Sequence, residues 1–591
     1  MTKVSDPAAI LRRLWKVALS ISTALAVLPP VQGAQAVEPE RPNVLIVVTD
    51  DQPLGMMGGA MPKTTEWLST GTRYANAVAS TPLCCPARAT ILSGRYVHNH
   101  DVRNLSEAYR FDFGMSLPRT MQDNGYTTAI AGKYFNEWNL HADNPPHFDR
   151  FSVFAGGYES DVRSDPQTQA AVSGEPGQVF YSQDTTATTQ QAGLSMLRDF
   201  EADDTKPWML YLAPYAPHGP QRGEVRPGYG DAPSLDAEYE RDLSDKPPHV
   251  RDVTRGQHVS GIRQGEHRAM YRALRVVDDM MADVRAQLEA SGELDNTLVL
   301  FTSDNGYLLG QHGLVGKKEP YEESLRVPMY AWLPGVIPSD VDRRIAGLVD
   351  IAPTVYDVAG IAPDYPVDGQ SLLGPATRQR ILIEHFGGGA GHQNVGDWSG
   401  WWRPGSMYRR NSYSSLGTAG CDDGRRTICQ RYRNAPGHEE AYRGTEQTHN
   451  LLQGGARAVA HRRWTAAASQ CVGVRCHELE AKPGLRVKPR SLIRVTYRGP
   501  RWFRSGETRT VRVVARNVSG RRLPVMRLRV EQNPQWTVRP LRRPRFAGVA
   551  PGETVAVRWR LRFTGTGPVS LSVWAGARGA LAWDAAPVRV G

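Results

Sequence analysis

The chain has 591 residues, 40% hydrophobic and 8% aromatic, so it can bury a large core, is long enough for more than one domain, and is not a disordered chain. Its formal net charge is +11, but residues 481–591 carry 24 Lys and Arg against 4 Asp and Glu, a net of +20, which leaves −9 on residues 1–480. Such a basic segment suits an anionic polymer, whether a sulfated glycan, an anionic cell wall or, by charge alone, nucleic acid, and it equally suits a solvated arginine-rich surface.

At the N-terminus, Arg12, Arg13 and Lys16 precede an apolar run from Val17 to Leu28 and the small-residue pattern Ala34-Gln35-Ala36. That is the order of a secretory signal peptide, and the run falls short of the ~20 residues a bilayer span needs. Residues 1–36 are therefore expected to be a signal peptide on a secreted or extracytoplasmic protein without a transmembrane segment, with Sec and twin-arginine export both open.

Asn43 to Val48 is a continuous apolar, β-branched run, the mark of a strand buried on both faces of a parallel sheet. Thr127 to Ala131, Trp208 to Ala213 and Thr297 to Thr302 repeat the pattern, separated by segments long enough for crossover helices. Met270, Leu274, Val277, Met281, Val284 and Leu288 share one helical face, with Gly292 at the expected C-terminal cap. An α/β fold follows, with ligands at the carboxyl ends of its strands. The polar stretch 219–264 reads as a long loop insertion that could wall a cleft. Residues 380–480 hold one strand-like run, Arg380 to Glu384, and two close cysteine pairs, Cys421/Cys429 and Cys471/Cys476, each able to close a small ring. From about 485, short alternating runs such as Thr510 to Val514 and Thr554 to Phe563, split by Pro551-Gly552-Glu553, read as an antiparallel β-sandwich.

Asp50, Asp51, Asp304 and Asn305 follow two of the buried strands. Three carboxylates and an amide oxygen form a hard-oxygen set suited to Ca²⁺, or less well Mg²⁺, and not to zinc; singly, each pair also reads as a turn or helix cap. The two remaining cysteines open Cys84-Cys85-Pro86-Ala87-Arg88, ahead of Ala89 to Gly94, with Pro86 near the first turn of a helix. A helix start offers N–H groups to an anion. Cys84 alone is compatible with a thiolate nucleophile, a disulfide partner or an inert buried thiol.

From about Arg41 to Leu452 the motifs together resemble the type I sulfatases of the alkaline phosphatase superfamily: Asn43 to Asp51, the C-x-P-x-R core followed by Leu92-Ser93-Gly94-Arg95, Gly132-Lys133, Pro217-His218, Thr302 to Gly306, Gly316-Lys317 with Tyr321-Glu322 and Arg326-Val327-Pro328, and Val349 to Thr354. The resemblance implies an alkaline-phosphatase-like mixed, mostly parallel sheet sandwiched by helices, with a small α+β C-terminal subdomain; the β-sandwich beyond it is expected to be Ig-like. The expected boundaries are 37–380 for the catalytic domain, 381–482 for the subdomain and 483–591 for the tail. It implies that a formylglycine-generating enzyme converts Cys84, not Cys85, to formylglycine (3-oxoalanine). The hydrated aldehyde then attacks sulfur, and a covalent sulfoenzyme intermediate breaks when the second hydroxyl reforms the aldehyde. By the same resemblance Asp50, Asp51, Asp304 and Asn305 hold Ca²⁺, Arg88 stabilises the hydrate, Lys133 and Lys317 neutralise sulfate oxygens, and His218 protonates the leaving alcohol.

One position departs from the pattern. Many sulfatases carry a histidine two residues after the lysine matched by Lys133, but here Gly132-Lys133-Tyr134-Phe135-Asn136-Glu137 has none; Asn136, His312 and His98 are candidates for that space. The same stretch and the paired cysteines are similar to the N-acetylglucosamine-6-sulfatase and heparan 6-O-sulfatase branch, which implies a sulfated carbohydrate or aryl sulfate substrate and a 6-O-sulfated amino sugar in particular. Two other readings use the same residues: a phosphonate or phosphate ester hydrolase with the same nucleophile, and a non-catalytic glycan-binding protein. The tail is similar to immunoglobulin-like modules of glycan-active enzymes, and contact with an anionic polymer or cell wall is expected of it, with nucleic acid not expected.

Overall fold

The computed structural model describes residues 41–219, 232–235, 261–387, 395–412, 439–443, 456–482 and 493–591, apart from short breaks at 142, 174–178, 204, 396, 519–521, 531–535, 565–566 and 578–579. The expected signal peptide, the Cys421/Cys429 pair and most of the polar stretch 219–264 lie outside the described residues. No helix among the described residues is long and apolar enough to cross a membrane.

The four sequence-predicted strands form the centre of one ten-stranded sheet. In chain order its strands are β1 (Asn43–Thr49), β2 (Thr72–Val78), β3 (Thr127–Lys133), β4 (Arg150–Phe154), β5 (Ser160–Ser164), β6 (Val179–Ser182), β7 (Trp208–Ala213), β8 (Thr297–Ser303), and, after the short ribbon β9 (Leu308–Leu309) and β10 (Val315–Gly316), β11 (Met329–Trp332) and β12 (Asp340–Gly347). The spatial order is β12-β2-β11-β8-β1-β7-β3-β4-β5-β6. β1 runs parallel to β7 and β8, and β3 parallel to β7 and β4. β11 is antiparallel to β8 and β2, so the sheet is mixed.

Alternation along β1 explains why its run is wholly apolar. Val44, Ile46 and Val48 enter one core with Ile91 and Leu92 of helix Cys84–Ser93 and Ile351 and Val355 of helix Ile351–Val358. Leu45 and Val47 enter a second core on the other face, where helix Gln264–Ser291 lays down the predicted stripe Met270, Leu274, Val277, Met281, Val284 and Leu288. Gly292 ends that helix with φ +84°, in the left-handed region a glycine adopts without a Cβ penalty.

Residues 381–412 and 439–443 give a second, antiparallel sheet, β13 (Ile381–His385), β14 (Asp397–Arg403), β15 (Ser406–Ser412) and β16 (Glu439–Arg443), paired in that order. Only the first of these was legible as a strand. The hydrophobic residues of β14 are tryptophans, and Trp401, Trp402 and Trp464 pack into one cluster with the disulfide-bonded Cys471 and Cys476. The arrangement is α+β, with helices Ala456–Ala468 and Val474–Ala481 beside the sheet.

Beyond residue 492 the elements among the described residues are all strands: β17 (Ile493–Arg498), β18 (Trp502–Phe503), β19 (Thr508–Asn517), β20 (Leu523–Val530), β21 (Trp536–Pro540), β22 (Arg545–Val549), β23 (Thr554–Phe563), β24 (Gly567–Ala577) and β25 (Ala580–Val590). They make a four-stranded sheet, β17-β19-β23-β21, and a five-stranded sheet, β18-β25-β24-β20-β22. The inward residues of both share one core that includes Val513, Trp559, Leu528 and Val573, the arrangement of a two-sheet sandwich.

Candidate active site

Parallel pairing of β1 with β8 places Thr49 opposite Ser303. The residues that follow, Asp50-Asp51 and Asp304-Asn305, are thereby brought side by side at the carboxyl edge of the sheet. The amide of Asp51 donates to Asp304 Oδ1 (3.2 Å) and the amide of Asp304 to the Thr49 carbonyl (3.0 Å). Asp51 has φ +61°, a conformation that short polar residues tolerate and that turns the chain out of the strand. Its carboxylate accepts from Asn305 Nδ2 at 2.6 Å.

Cys84 is the first residue of helix Cys84–Ser93, and Leu83 precedes it in extended conformation. The sulfur of Cys84 lies 3.4 Å from Asp50 Oδ1 and 2.8 Å from Lys317 Nζ. One turn further, Arg88 Nε donates to Asp304 Oδ2 (2.9 Å), Nη1 to the Lys133 carbonyl (2.8 Å), and Nη2 contacts Asp50 Oδ2 (3.4 Å). Lys133, the last residue of β3, pairs with Asp50, and Lys317, just after β10, pairs with Asp51. The glycine before Lys133 is obligatory: φ there is +110°, and a Cβ would lie 2.1 Å from the Ala213 carbonyl oxygen of β7. His218 stands in the turn after β7, its Nε2 3.5 Å from Asp51 Oδ2 and its ring stacked on Tyr215 at 4.6 Å. All nine sequence-predicted site residues therefore meet in one place.

The electrostatics follow from burial of a mixed cluster. Burial alone would raise the Asp50 carboxyl, but Lys133, His218, Arg88 and Lys317 together hold it well below the ordinary carboxylate range. Asp304 goes the other way, raised to about 6 by burial and then by the neighbouring Asp50 charge. Burial, with Asp50 adding to it, pushes the Cys84 thiol far up, so the sulfur stands there as a thiol. Burial depresses His218 below the usual imidazole range against the opposing pull of Asp51 and Asp50.

The donor set fits a hard divalent cation. Asn305 Oδ1 is buried without a hydrogen-bond partner among the described residues, which is costly for an amide oxygen unless something else takes it up. Asp50 and Asp304 repel one another, and a cation between carboxylates would allow both to ionise. Asp50, Asp51, Cys84 and His218 also bring one ligand atom each within 4.8 Å of one another; that softer set shares both aspartates with the oxygen set. The orphaned amide oxygen favours the oxygen set.

Each of the three candidates for the missing histidine has other partners. Asn136 is engaged with Cys85, whose sulfur accepts from its backbone N–H at 3.0 Å. His98 is held by Glu384 at 2.8 Å and by the Cys471 carbonyl at 3.0 Å, and His312 stacks on Tyr321 at 4.0 Å. Sequence reasoning passed over Tyr215, which backs His218 and lies 5.2 Å under the Lys133 ammonium, and Lys318, half-buried with φ +81°. Burial, then the adjacent Lys317 charge, lowers Lys318 to about 8. The Lys317-Lys318 doublet was the available signal for it.

The family model "Sulfatase" matches residues 42–361, more than half of the chain. The chain belongs to the sulfatase family. Human N-acetylglucosamine-6-sulfatase is 30% identical to it over 391 residues, covering 60% of this chain and 69% of the human protein. An extracellular sulfatase SULF-1 homolog of Drosophila melanogaster is 30% identical over 358 residues, or 56% of this chain. The chain spans only 31% of the fly protein's length, and 48% of a Caenorhabditis elegans Sulf-1 homolog. A solved structure described as a complex with its substrate D-glucosamine-2-N,6-O-disulfate superposes with TM-score 0.55 at 21% identity, over 72% of this chain and 96% of that one. A phosphonate monoester hydrolase from Silicibacter pomeroyi superposes with TM-score 0.52 at 19% identity, over 72% and 94%. These superpositions speak for the fold.

Proposed function

We propose that this sulfatase hydrolyses sulfate monoesters of glycans, with a 6-O-sulfated amino sugar as the favoured substrate, after conversion of Cys84 to formylglycine. The observation that carries the proposal is the convergence of Lys317, Arg88 and Lys133 on residue 84 and its flanking carboxylates in a buried cluster. The relation to N-acetylglucosamine-6-sulfatase supports the position of the ester.

Residue 84 suits an oxygen nucleophile. A carboxylate and an ammonium already flank it, one able to take a proton and the other to donate one, and a formylglycine there would supply a hydrated aldehyde with one hydroxyl to attack sulfur and another to expel sulfate. Asp50, Asp51, Asp304 and Asn305 would hold Ca²⁺, which would lower the pKa of an oxygen nucleophile and neutralise charge on the transferring group. Lys133 and Lys317 face the oxygens that gain charge, where fixed cations in a water-poor site are worth most. Arg88 locks the metal-side carboxylate of Asp304 and the end of β3 in register. His218, next to solvent and oriented by Tyr215 and Asp51, is placed to give a proton to the departing alcohol. Its depressed pKa makes the protonated ring a stronger acid than an ordinary histidine.

We also infer that the described α/β and α+β parts act as one catalytic unit to about residue 482, that the tail is an Ig-like module, and that the protein is exported. Comparing turnover of an aryl sulfate with that of an aryl phosphonate diester on one preparation tests the reaction. Faster sulfate turnover supports the proposal, and faster phosphonate turnover transfers the site to the other chemistry.

A further inference from the structure

Seven of the tail's arginines collect on the outer face of one sheet. In the four-stranded sheet, inward positions are apolar and outward positions are repeatedly arginine: Arg498 on β17, Arg512 on β19 and Arg558 on β23 lie directly opposite one another in the register and form one row across three strands. Arg560 and Arg539 form a second row and Arg494 and Arg516 a third. All seven are exposed, and none joins an ion pair among the described residues. The described tail carboxylates are occupied elsewhere, Glu507 by Arg509 at 2.8 Å and Glu553 by the Ala550 amide at 2.7 Å. Like charges directly opposite on adjacent strands destabilise a sheet, so this face carries a cost that folding alone does not explain.

Two outward arginines of the opposite sheet are engaged with the rest of the chain. Arg529 on β20 donates to Asp364 Oδ2 (2.9 Å) and to the Gly114 carbonyl (2.7 Å), and Arg527 donates to the Asp364 carbonyl (2.8 Å). Asp364 is gripped from its own side by Arg119 at 2.7 Å. One outer face of the sandwich is thus fastened to the catalytic unit, and the other, with its unpaired rows, faces away.

We propose that the outer face of the β17-β19-β23-β21 sheet binds a linear sulfated polysaccharide and holds the enzyme on its polymer. Guanidinium groups recur every ~4.8 Å across the strands, and along them at ~7 Å from Arg558 to Arg560 and ~13 Å from Arg494 to Arg498 and from Arg512 to Arg516, and each can meet a sulfate with two parallel N–H donors. The other outward residues of the face include Thr496, Thr510, Val514 and Ala556, with no aromatic ring on which a base could stack and no large apolar wedge for a membrane. The choice of sulfate over phosphate rests on the proposed sulfatase activity; the binding face itself does not.

The test uses the full chain and heparin as probe, with chemically desulfated heparin and duplex DNA as comparisons. Arg512→Gln/Arg558→Gln should weaken heparin binding about tenfold at physiological salt and leave turnover of a small aryl sulfate unchanged. Arg545→Gln/Arg589→Gln, with the same loss of charge on the other sheet, should retain binding. Arg494→Gln/Arg516→Gln supplies an independent row. Equal loss in the control, no loss in either face variant, or desulfated heparin or DNA binding as tightly as heparin would overturn the proposal. Loss of aryl sulfate turnover in the unmutated protein, with heparin binding intact, would instead count against the catalytic reading alone.

Discussion

The ammonium of Lys317 stands 2.8 Å from the sulfur of Cys84 and pairs at the same time with Asp51. One cation thus links the position of the nucleophile to the carboxylates proposed to hold the metal. Burial alone would lower its pKa, but the Asp51 charge, with Asp50 and Asp304 adding to it, outweighs the desolvation and keeps it protonated. Lys317→Ala should lower kcat on an aryl sulfate by about 10²–10³, the usual loss when a donor to developing oxyanion charge is removed. Lys317→Arg should not restore it, because a planar guanidinium does not fit the point-charge position.

Asn305 contributes an amide oxygen that has no hydrogen-bond partner among the described residues. Chelation should abolish turnover, and Ca²⁺ should restore it better than Mg²⁺ or Zn²⁺. Added Ca²⁺ should also raise the thermal midpoint by binding the folded state. In Asn305→Ala that rise should shrink, a readout that does not depend on activity.

The second sheet should be acid-sensitive through His385, which stacks on Trp398 at 5.7 Å. Burial first, and the Lys318 charge next, lower His385 to about 3. An unfolded histidine titrates near 6.5. The folded state is therefore penalised where the unfolded chain binds the proton and it does not: the stability is complete above about 6.5 and lost progressively as pH falls toward 3. Between pH 7 and pH 4 the loss should be on the order of 3 kcal/mol, and His385→Phe should flatten the denaturation profile over that window.

Arg378 donates to Asp350 and to Glu480, the latter at 2.8 Å, inside the protein. Asp350 precedes helix Ile351–Val358, while Glu480 belongs to helix Val474–Ala481, so this triad joins the catalytic sheet to the smaller one. Removing the shared cation leaves two buried carboxylates, and Arg378→Met should cost about 3–5 kcal/mol in chemical denaturation. Asp350→Asn should cost less, since Glu480 would keep its partner.

How far the sequence reached depends on the kind of residue involved. β1, β3, β7 and β8 were legible because strands buried on both faces need unbroken apolar runs, and the nine site residues were legible because each sits at the end of such a strand or in a short motif. β14 and β15 were not, since tryptophan, serine and arginine alternate there with no strong period, and burial of Trp401 and Trp402 depends on partners far along the chain. The register that brings Asp51 against Asn305 is set by pairing across 254 residues and has no local signature. The arginine rows escaped notice for the same reason: charge counting located the basic segment, but only strand pairing sorts Arg512 and Arg558 onto one face and Arg529 onto the other.

Mass spectrometry of the tryptic peptide containing residue 84, from protein made in its native host, tests the central claim most directly. The account predicts an aldehyde at residue 84, trapped by a hydrazine reagent, with Cys85 retained as a thiol. An unmodified thiol at Cys84 in protein that still hydrolyses sulfate esters would contradict it.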